Sequence, residues 1–222
     1  MIRFEHITMS YNVRGMRKIV IDDLNIELPS GQSLALLGRN GAGKSTLLQI
    51  TAGTLRPDHG QVVSDGSISW PVGFAGSFHP DLSGAQNVRF VARIYGVDTD
   101  ELVDFVEDFA ELGKHFYMPV RSYSSGMRAR LAFGTSMGIN FDTYLVDEVT
   151  AVGDAAFRAK SGKVFKERMK TSSAILVSHE MGQVREFCDA GVVLSEGRLA
   201  YFDDIDAAIE EHLRVIGQKA KK

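Results

Sequence analysis

A glycine-rich segment that ends in a lysine and two hydroxyl residues carries the clearest chemistry in this sequence. It runs from Gly38 to Ser45 with the letters GRNGAGKS, and Thr46 follows. Glycines allow successive backbone N–H groups to turn toward phosphate oxygens, where a Cβ would obstruct the approach. Lys44 is then predicted to reach the β- and γ-phosphates of a nucleotide, and the Ser45 hydroxyl to ligate Mg²⁺. The segment predicts a nucleotide-binding loop.

The elements on either side of this loop are those that a phosphate loop requires. The apolar run Ser33–Leu37 predicts a buried strand before it, and Thr46–Ile50 predicts a helix after it that ends at Gly53. A glycine-rich turn with a chance lysine is the alternative, but all eight motif positions and both flanks favour nucleotide binding. The contact residues predicted here are Gly38, Asn40, Gly41, Ala42, Gly43, Lys44, Ser45 and Thr46.

Two acids follow a second apolar strand, predicted at Phe141–Val146. A magnesium ion between phosphates needs a carboxylate near Ser45, and hydrolysis needs a polarised water. We predict that Asp147 binds Mg²⁺, directly or through water, and that Glu148 acts as general base. Ordinary acidic turn residues are the alternative for this pair. The phosphate loop upstream favours the catalytic interpretation.

Two further segments have both a functional and a plain interpretation. Ser124, Ser125, Gly126 and Met127 open a predicted helix, whose N-terminus favours anions. A plain serine N-cap explains the same letters. His179 follows a predicted strand end and could contact a γ-phosphate, or it could be an ordinary capping or surface histidine.

Composition limits the class of protein. The chain has 222 residues, a net charge of −3 and one cysteine. The slightly acidic balance argues against a dedicated nucleic-acid binder. Cys188 has no partner for an internal disulfide, and its simplest interpretation is a small buried apolar residue. No apolar run approaches the ~18 residues needed to span a bilayer, so we expect any membrane association to come through a partner.

The order of elements predicts an α/β core with a helical insertion. Strands at Ile2–Met9 and Leu24–Leu28 predict an antiparallel edge on a parallel core. Residues 83–137 show helical patterns only, and α/β alternation then resumes. We therefore predict a core of residues 1–82 and 138–222 with a helical subdomain at 83–137. One helix of that subdomain, at about 100–112, has an acidic face that is either solvated or docks a basic partner.

The order of these motifs resembles that of the nucleotide-binding subunits of ABC transporters over almost the whole chain. The resemblance implies a P-loop NTPase core, with a mixed sheet and an antiparallel β edge, and an inserted helical subdomain. By this resemblance, Gly38–Ser45 matches Walker A, and Asp147 and Glu148 match the Walker B aspartate and the catalytic glutamate. Tyr123–Met127 matches the signature, and Ala151–Asp154 matches the D-loop. His179 matches the switch histidine, and Tyr11 matches the aromatic residue that stacks on adenine.

The sequence departs from the family pattern at several positions. Ser125 stands where the signature has its first glycine, and Met127 replaces the signature glutamine. No Q-loop glutamine is evident, and His79 is the residue that we place there as a contact to Mg²⁺. Val149 replaces the usual proline after Walker B. These departures affect the expected details of how Mg²⁺ binding is coupled to hydrolysis. They do not change the expectation that the chain binds ATP.

Three segments narrow the resemblance to bacterial polysaccharide exporters. They are Ile68–Gly73, Tyr123–Arg128 and Asp147–Asp154. The similarity is strongest to the ATPase of Gram-negative capsular exporters, and exporters of O-antigen or teichoic acid are the alternative. O-antigen ATPases often carry a further carbohydrate-binding domain, so a chain ending at Lys222 favours the capsule type.

The resemblance also implies partners and a mechanism. We expect a head-to-tail homodimer that binds two ATP molecules, each between Walker A of one copy and Ser125 and Gly126 of the other. A polytopic membrane permease would contact the polysaccharide and hold the ATPase at the cytoplasmic face of the bacterial inner membrane. A soluble ABC ATPase that acts on DNA or ribosomes would usually have a basic surface and a long coiled coil, and this sequence shows neither pattern. Glu148 and His179 argue against a nucleotide-gated scaffold without catalysis.

Overall fold

The chain begins with a long antiparallel hairpin. In the computed structural model, which describes residues 1–74, 76, 78–147 and 154–219, strand β1 (Ile2–Val13) pairs with β2 (Met16–Leu28). Strand β4 (His59–Ser64) pairs antiparallel with the other edge of β1. Because β1 is thus paired on both edges, these strands form a sheet of their own, in the order β2-β1-β4.

A six-stranded sheet forms the centre of the α/β core. Its order is β5-β6-β7-β3-β8-β9, and every neighbouring pair is parallel except β8 and β9. The fold is therefore α/β with a mixed sheet and antiparallel strands, as predicted. The strands predicted as the antiparallel edge of the core form the separate sheet instead, and the antiparallel edge strand of the central sheet is β9. Its strands are β3 (Leu34–Gly38), β5 (Ile68–Pro71), β6 (Thr143–Asp147), β7 (Ser173–Val177), β8 (Ala190–Ser195) and β9 (Arg198–Phe202).

The parallel strands determine where polar residues meet. Strands β3 and β7 are buried along their whole length, as expected for parallel strands covered on both faces. Because β6, β7 and β3 are adjacent and parallel, their carboxyl ends lie at one edge of the sheet. Asp147 ends β6, His179 follows β7, and Gly38 ends β3. The topology thus gathers the predicted phosphate loop and two predicted site residues at one edge.

Seven α-helices lie in the described ranges, and four of them begin at a residue whose side chain caps the helix. Ser83 caps α2 in a capping box with Gln86, and Gly96, with a φ of 66°, ends that helix. Ser124 caps α4 and Asp154 caps α5 through side-chain oxygens. The helices are α1 (Lys44–Thr51), α2 (Gly84–Tyr95), α3 (Thr99–Ala110), α4 (Ser125–Gly138), α5 (Ala155–Arg168), α6 (Met181–Phe187) and α7 (Ile205–Lys219).

The described residues divide into two compact units. The first comprises residues 1–71, 141–147 and 171–219, and the second comprises 72–140 and 154–170. The second unit contains the helices predicted at 83–137 and also α5, since Phe157 of α5 packs edge-on against Phe109 with ring centroids 5.2 Å apart. Phe109 also stacks on Phe105 and Phe133. These aromatic contacts form the centre of the second unit.

Three sequence-based expectations can be compared with the fold. Cys188 is buried, and burial raises the pKa of its thiol to about 12, so it behaves as an apolar residue as predicted. On α3, Asp100, Glu101 and Asp104 are exposed, which agrees with a solvated acidic face. Over the described ranges, no helix is both long and apolar enough to cross a bilayer.

Candidate nucleotide-binding site

The phosphate loop is shaped by two glycines that no other residue can replace without a clash. Gly38 has a φ of 150°, and a Cβ on it would lie 2.5 Å from the carbonyl oxygen of Leu194. Gly43 has a φ of 108°, and a Cβ on it would lie 2.4 Å from Cγ1 of Val20. Both distances are shorter than any packing contact. The backbone can therefore lie this close to Leu194 and Val20 only because glycine has no Cβ.

Lys44 is held over the loop by backbone carbonyls. It is the first residue of α1 and is buried. Its Nζ donates to the carbonyl oxygen of Gly38 at 2.8 Å and to that of Arg39 at 3.2 Å. A phosphate oxygen would offer the same ammonium a shorter, charge-assisted hydrogen bond. The lysine is thus already positioned at the loop that would hold the phosphates.

The predicted adenine contact, Tyr11 on β1, lies beside the start of α1. The Tyr11 hydroxyl is 3.3 Å from Oγ1 of Thr46, within hydrogen-bonding distance. The Tyr11 side chain is exposed, so its ring is accessible for stacking. The structure therefore brings together two residues that lie far apart in sequence and that the resemblance assigned to one nucleotide.

The donor set for a magnesium ion consists of oxygen atoms. Ser45 is exposed in the first turn of α1, and Asp147 ends β6 beside Val177 of β7. A hydroxyl, a carboxylate and substrate phosphates are the ligands that Mg²⁺ prefers. In the described part of the chain, no group of three or more His, Cys, Asp or Glu side chains is placed to hold a metal ion without such phosphates. The predicted base Glu148 and D-loop residues Ala151–Gly153 lie outside the described residues.

A second histidine lies near the predicted switch residue. His212 on α7 is only 5% exposed, and its Nδ1 has no hydrogen-bond partner among the described residues. Burial lowers its pKa, and electrostatic interactions with Lys44 and His179 lower it further. Sequence reasoning missed His212, although it falls one helical turn after the apolar Ala208 and Ile209.

A pocket of about 630 Å³ flanks the phosphate loop. Residues Arg39–Ala42 form one wall, and Lys18–Val20 and Leu194–Gly197 form others. Helix α7 contributes Glu211 and Arg214, which form an ion pair at 2.6 Å. Nη1 of Arg39 is buried without a hydrogen-bond partner among the described residues. The pocket therefore contains one guanidinium donor, on Arg39, that is available to a bound anion.

The predicted signature belongs to the second unit. Oγ of Ser124 accepts a hydrogen bond from the backbone N–H of Met127 at 3.2 Å, and Ser125 is exposed at the first residue of α4. A pocket of about 330 Å³ opens beside it. Its lining residues are Glu111, Leu112, His115, Ser124, Gly126, Met127 and Arg130.

Two other predicted site residues also lie in the second unit and are engaged there. Oδ1 of Asp154 accepts from the N–H of Phe157 at 2.9 Å, and Oδ2 accepts from Arg130 at 2.9 Å. The hydrogen bond from Phe157 is the main cause that lowers the Asp154 pKa. His79 accepts a hydrogen bond from the N–H of Asp81 at Nδ1, 3.3 Å away, and Asn87 bonds both backbone groups of His79. Its role toward Mg²⁺ stays a prediction.

Sequence comparison finds close relatives. A family model described as "ABC transporter" matches residues 21–151. The polysialic acid transport ATP-binding protein KpsT of Escherichia coli is 51% identical over 215 residues, which is 96% of each chain. The capsule polysaccharide export ATP-binding protein CtrD of Neisseria meningitidis serogroup B is 44% identical over 95% of this chain and 97% of its own.

Structure comparison finds the same fold at low identity. A dimeric ATP-binding cassette in a post-hydrolysis state, bound to ADP and Pi, superimposes with a TM-score of 0.75. The match covers 92% of this chain and 99% of the cassette, at 19% sequence identity. The α/β core and the helices that follow it therefore have the architecture of an ATP-binding cassette.

Proposed function

We propose, since the chain belongs to the ABC transporter family, that it is the ATPase subunit of an exporter that moves a capsular polysaccharide across the bacterial inner membrane. The observation that carries this proposal is its identity of 44–51% over nearly the whole chain with ATP-binding proteins named for polysialic acid transport and capsule export. The phosphate loop supplies the chemistry, and the hydrogen bonds of Lys44 to the carbonyl oxygens of Gly38 and Arg39 support this assignment because they keep its ammonium group at the loop.

Within one copy, the residues divide the work on ATP. The backbone N–H groups of the loop and the Lys44 ammonium bind the phosphates, and Tyr11 stacks on the adenine. Mg²⁺, held by Ser45 and Asp147 with His79 as a further contact, would neutralise phosphate charge. Glu148 accepts a proton from the attacking water, and His179 contacts the γ-phosphate.

A second copy of the chain completes the site. Ser124–Met127 of that copy offers hydroxyls and the N-terminus of α4 to the same nucleotide. ATP then makes contacts with both copies only in the closed dimer. It therefore shifts the equilibrium between open and closed forms toward the closed dimer. The helices of residues 83–137 pass this motion to a polytopic membrane permease. The permease contacts the polymer and keeps the ATPase at the cytoplasmic face of the membrane, and no nucleic acid takes part.

Disruption of the gene in its own bacterium tests the proposal. We expect capsular polysaccharide to disappear from the cell surface and to accumulate inside the cell, and the wild-type chain, but not Lys44→Ala, to restore export. A tagged wild-type chain should co-purify with a polytopic membrane protein. Normal surface capsule after disruption would contradict capsular export, and loss of O-antigen with intact capsule would move the assignment to that class of exporter.

A further inference from the structure

Arg130 joins three helices of the second unit through one guanidinium group. It lies on α4, the helix that begins with Ser125, and its side chain is 20% exposed. Its Nη2 donates to Oδ2 of Asp154 at 2.9 Å, and its Nη1 lies 3.9 Å from Oε2 of Glu111. The guanidinium carbon is also 4.4 Å from the centre of the Phe157 ring. Arg130 therefore contacts the end of α3 and the start of α5 at the same time.

Glu111 is held in a backbone conformation that non-glycine residues disfavour. It follows the last residue of α3 with a φ of 53°, in the left-handed region. Such residues persist where surrounding contacts hold them. Lys160 of α5 contacts the Glu111 carboxylate at 2.6 Å and the carbonyl oxygen of Asp108 at 3.1 Å. These contacts hold Glu111 in the lining of the pocket to which Ser124, Gly126 and Met127 also contribute.

The two carboxylates need a cation between them. Hydrogen bonding by Lys160 is the main cause that lowers the Glu111 pKa, whereas the charge of Asp154 raises it. Glu111 and Asp154 therefore repel each other across Arg130. Both carboxylates are more than half exposed, and such ion pairs contribute little to stability. Holding the helices in a defined arrangement explains this cluster better than stability does.

Both carboxylate oxygens of Asp154 accept hydrogen bonds from its own chain. One oxygen caps α5 and the other accepts from Arg130. Asp154 is also the residue at which the described chain resumes after Asp147, beyond the segment that contains Glu148. The hydrogen bond from Arg130 fixes Asp154 relative to α4.

We propose that Arg130 is a positioning residue for ATP hydrolysis: by holding Asp154 and Glu111 together, it fixes Ser125 at the start of α4 relative to Asp154, the last residue of the predicted D-loop. Asp154 then links α5 to α4 inside its own chain. The proposal rests on the proposed two-copy ATPase. Turnover by wild type and its loss in Lys44→Ala test that function, and the Arg130 variants are compared with an active wild type.

The experiment measures kcat, KM, ATP affinity and melting temperature for Arg130→Gln, Asp154→Asn and the double variant. Asparagine caps helices as well as aspartate, so Asp154→Asn keeps the cap on α5 and loses the charge. We expect each single variant to lose about tenfold or more in kcat through misalignment, at unchanged ATP affinity. The double variant should be no slower than the slower single variant, and Arg130→Lys should recover part of the loss.

Lys170→Gln is the matched control, because it breaks an exposed ion pair with Glu167 next to the other end of α5. We expect its kcat to stay within about twofold of wild type. A kcat of Arg130→Gln equal to that of the control, or losses that multiply in the double variant, would overturn the proposal. Loss of ATP affinity or melting temperature in step with kcat would assign Arg130 a structural role only. If Arg130→Gln fails to fold, Asp154→Asn alone decides by the same criteria.

Discussion

Replacement of Gly43 by alanine tests the packing of the phosphate loop. The new Cβ would lie 2.4 Å from Cγ1 of the buried Val20, at a backbone φ of 108°. Placing an L-residue in a left-handed conformation costs about 1–2 kcal/mol. Forcing a methyl group into a filled space adds about 1–3 kcal/mol. Together these terms predict that the free energy of unfolding falls by about 2–5 kcal/mol.

Gly41→Ala is the matched control in the same loop. Gly41 also has a positive φ, 77°, but no atom of the described residues lies within 4 Å of a Cβ placed there. It should lose only the conformational term, about 1–2 kcal/mol. The difference between the two variants therefore isolates the contact with Val20, and we expect it to be about 1–3 kcal/mol.

Thermal unfolding without nucleotide measures this difference. For a chain of this size each kcal/mol shifts Tm by about 2–4 °C, so Gly43→Ala should melt about 2–12 °C below Gly41→Ala. In a Val20→Ala background, which removes the methyl group in contact, the gap between Gly43→Ala and Gly41→Ala should narrow. Equal melting temperatures for the two single variants would refute the assignment of Gly43 to a close packing contact.

Two further predictions concern the charged groups of the first unit. Lys44→Ala should weaken ATP binding about 10- to 150-fold, because a hydrogen bond to a charged group contributes about 1.5–3 kcal/mol; unchanged affinity by calorimetry would argue against the phosphate-loop assignment. The pKa of His212 in the folded chain lies below its ordinary value of 6.5. As the pH drops below 6.5, the unfolded chain therefore binds a proton at His212 more readily than the folded chain, and the free energy of unfolding falls. Between about pH 7.5 and about pH 5.5, wild type should therefore lose more Tm than His212→Gln, and an equal loss in both would show that His212 does not titrate as inferred.

The first hairpin shows where sequence patterns stop short. A strand was predictable at Ile2–Met9, but β1 extends to Val13. Positive φ values at His6 and Asp23 and shifts in register interrupt the alternation of buried and exposed residues. The distal half of the hairpin exposes Val13, so it is held by backbone pairing. Patterns of burial cannot report a strand of that kind.

Local sequence signals predicted where helices begin and end better than they predicted which helices pack together. Ser83 and Gly96 bound α2 as their cap chemistry requires. The same approach could not show that α5 packs with the second unit, because Phe109 and Phe157 meet only in three dimensions. Likewise, residue type and spacing were enough to nominate the motif residues of the candidate site, whose roles stay predictions. Arg130 and His212 were not, since their roles depend on neighbours from other helices.

The claim that two copies share each ATP is tested most directly by sedimentation of Glu148→Gln with ATP and Mg²⁺. This variant should bind ATP, lose nearly all hydrolysis and sediment as a dimer, whereas without nucleotide it should be a monomer. Adding Ser125→Glu should abolish the dimer and leave ATP binding intact, because a carboxylate there repels the phosphates of the other copy. A Glu148→Gln variant that stays monomeric at saturating ATP, or that turns over ATP at a near-normal rate, would contradict the two-copy site.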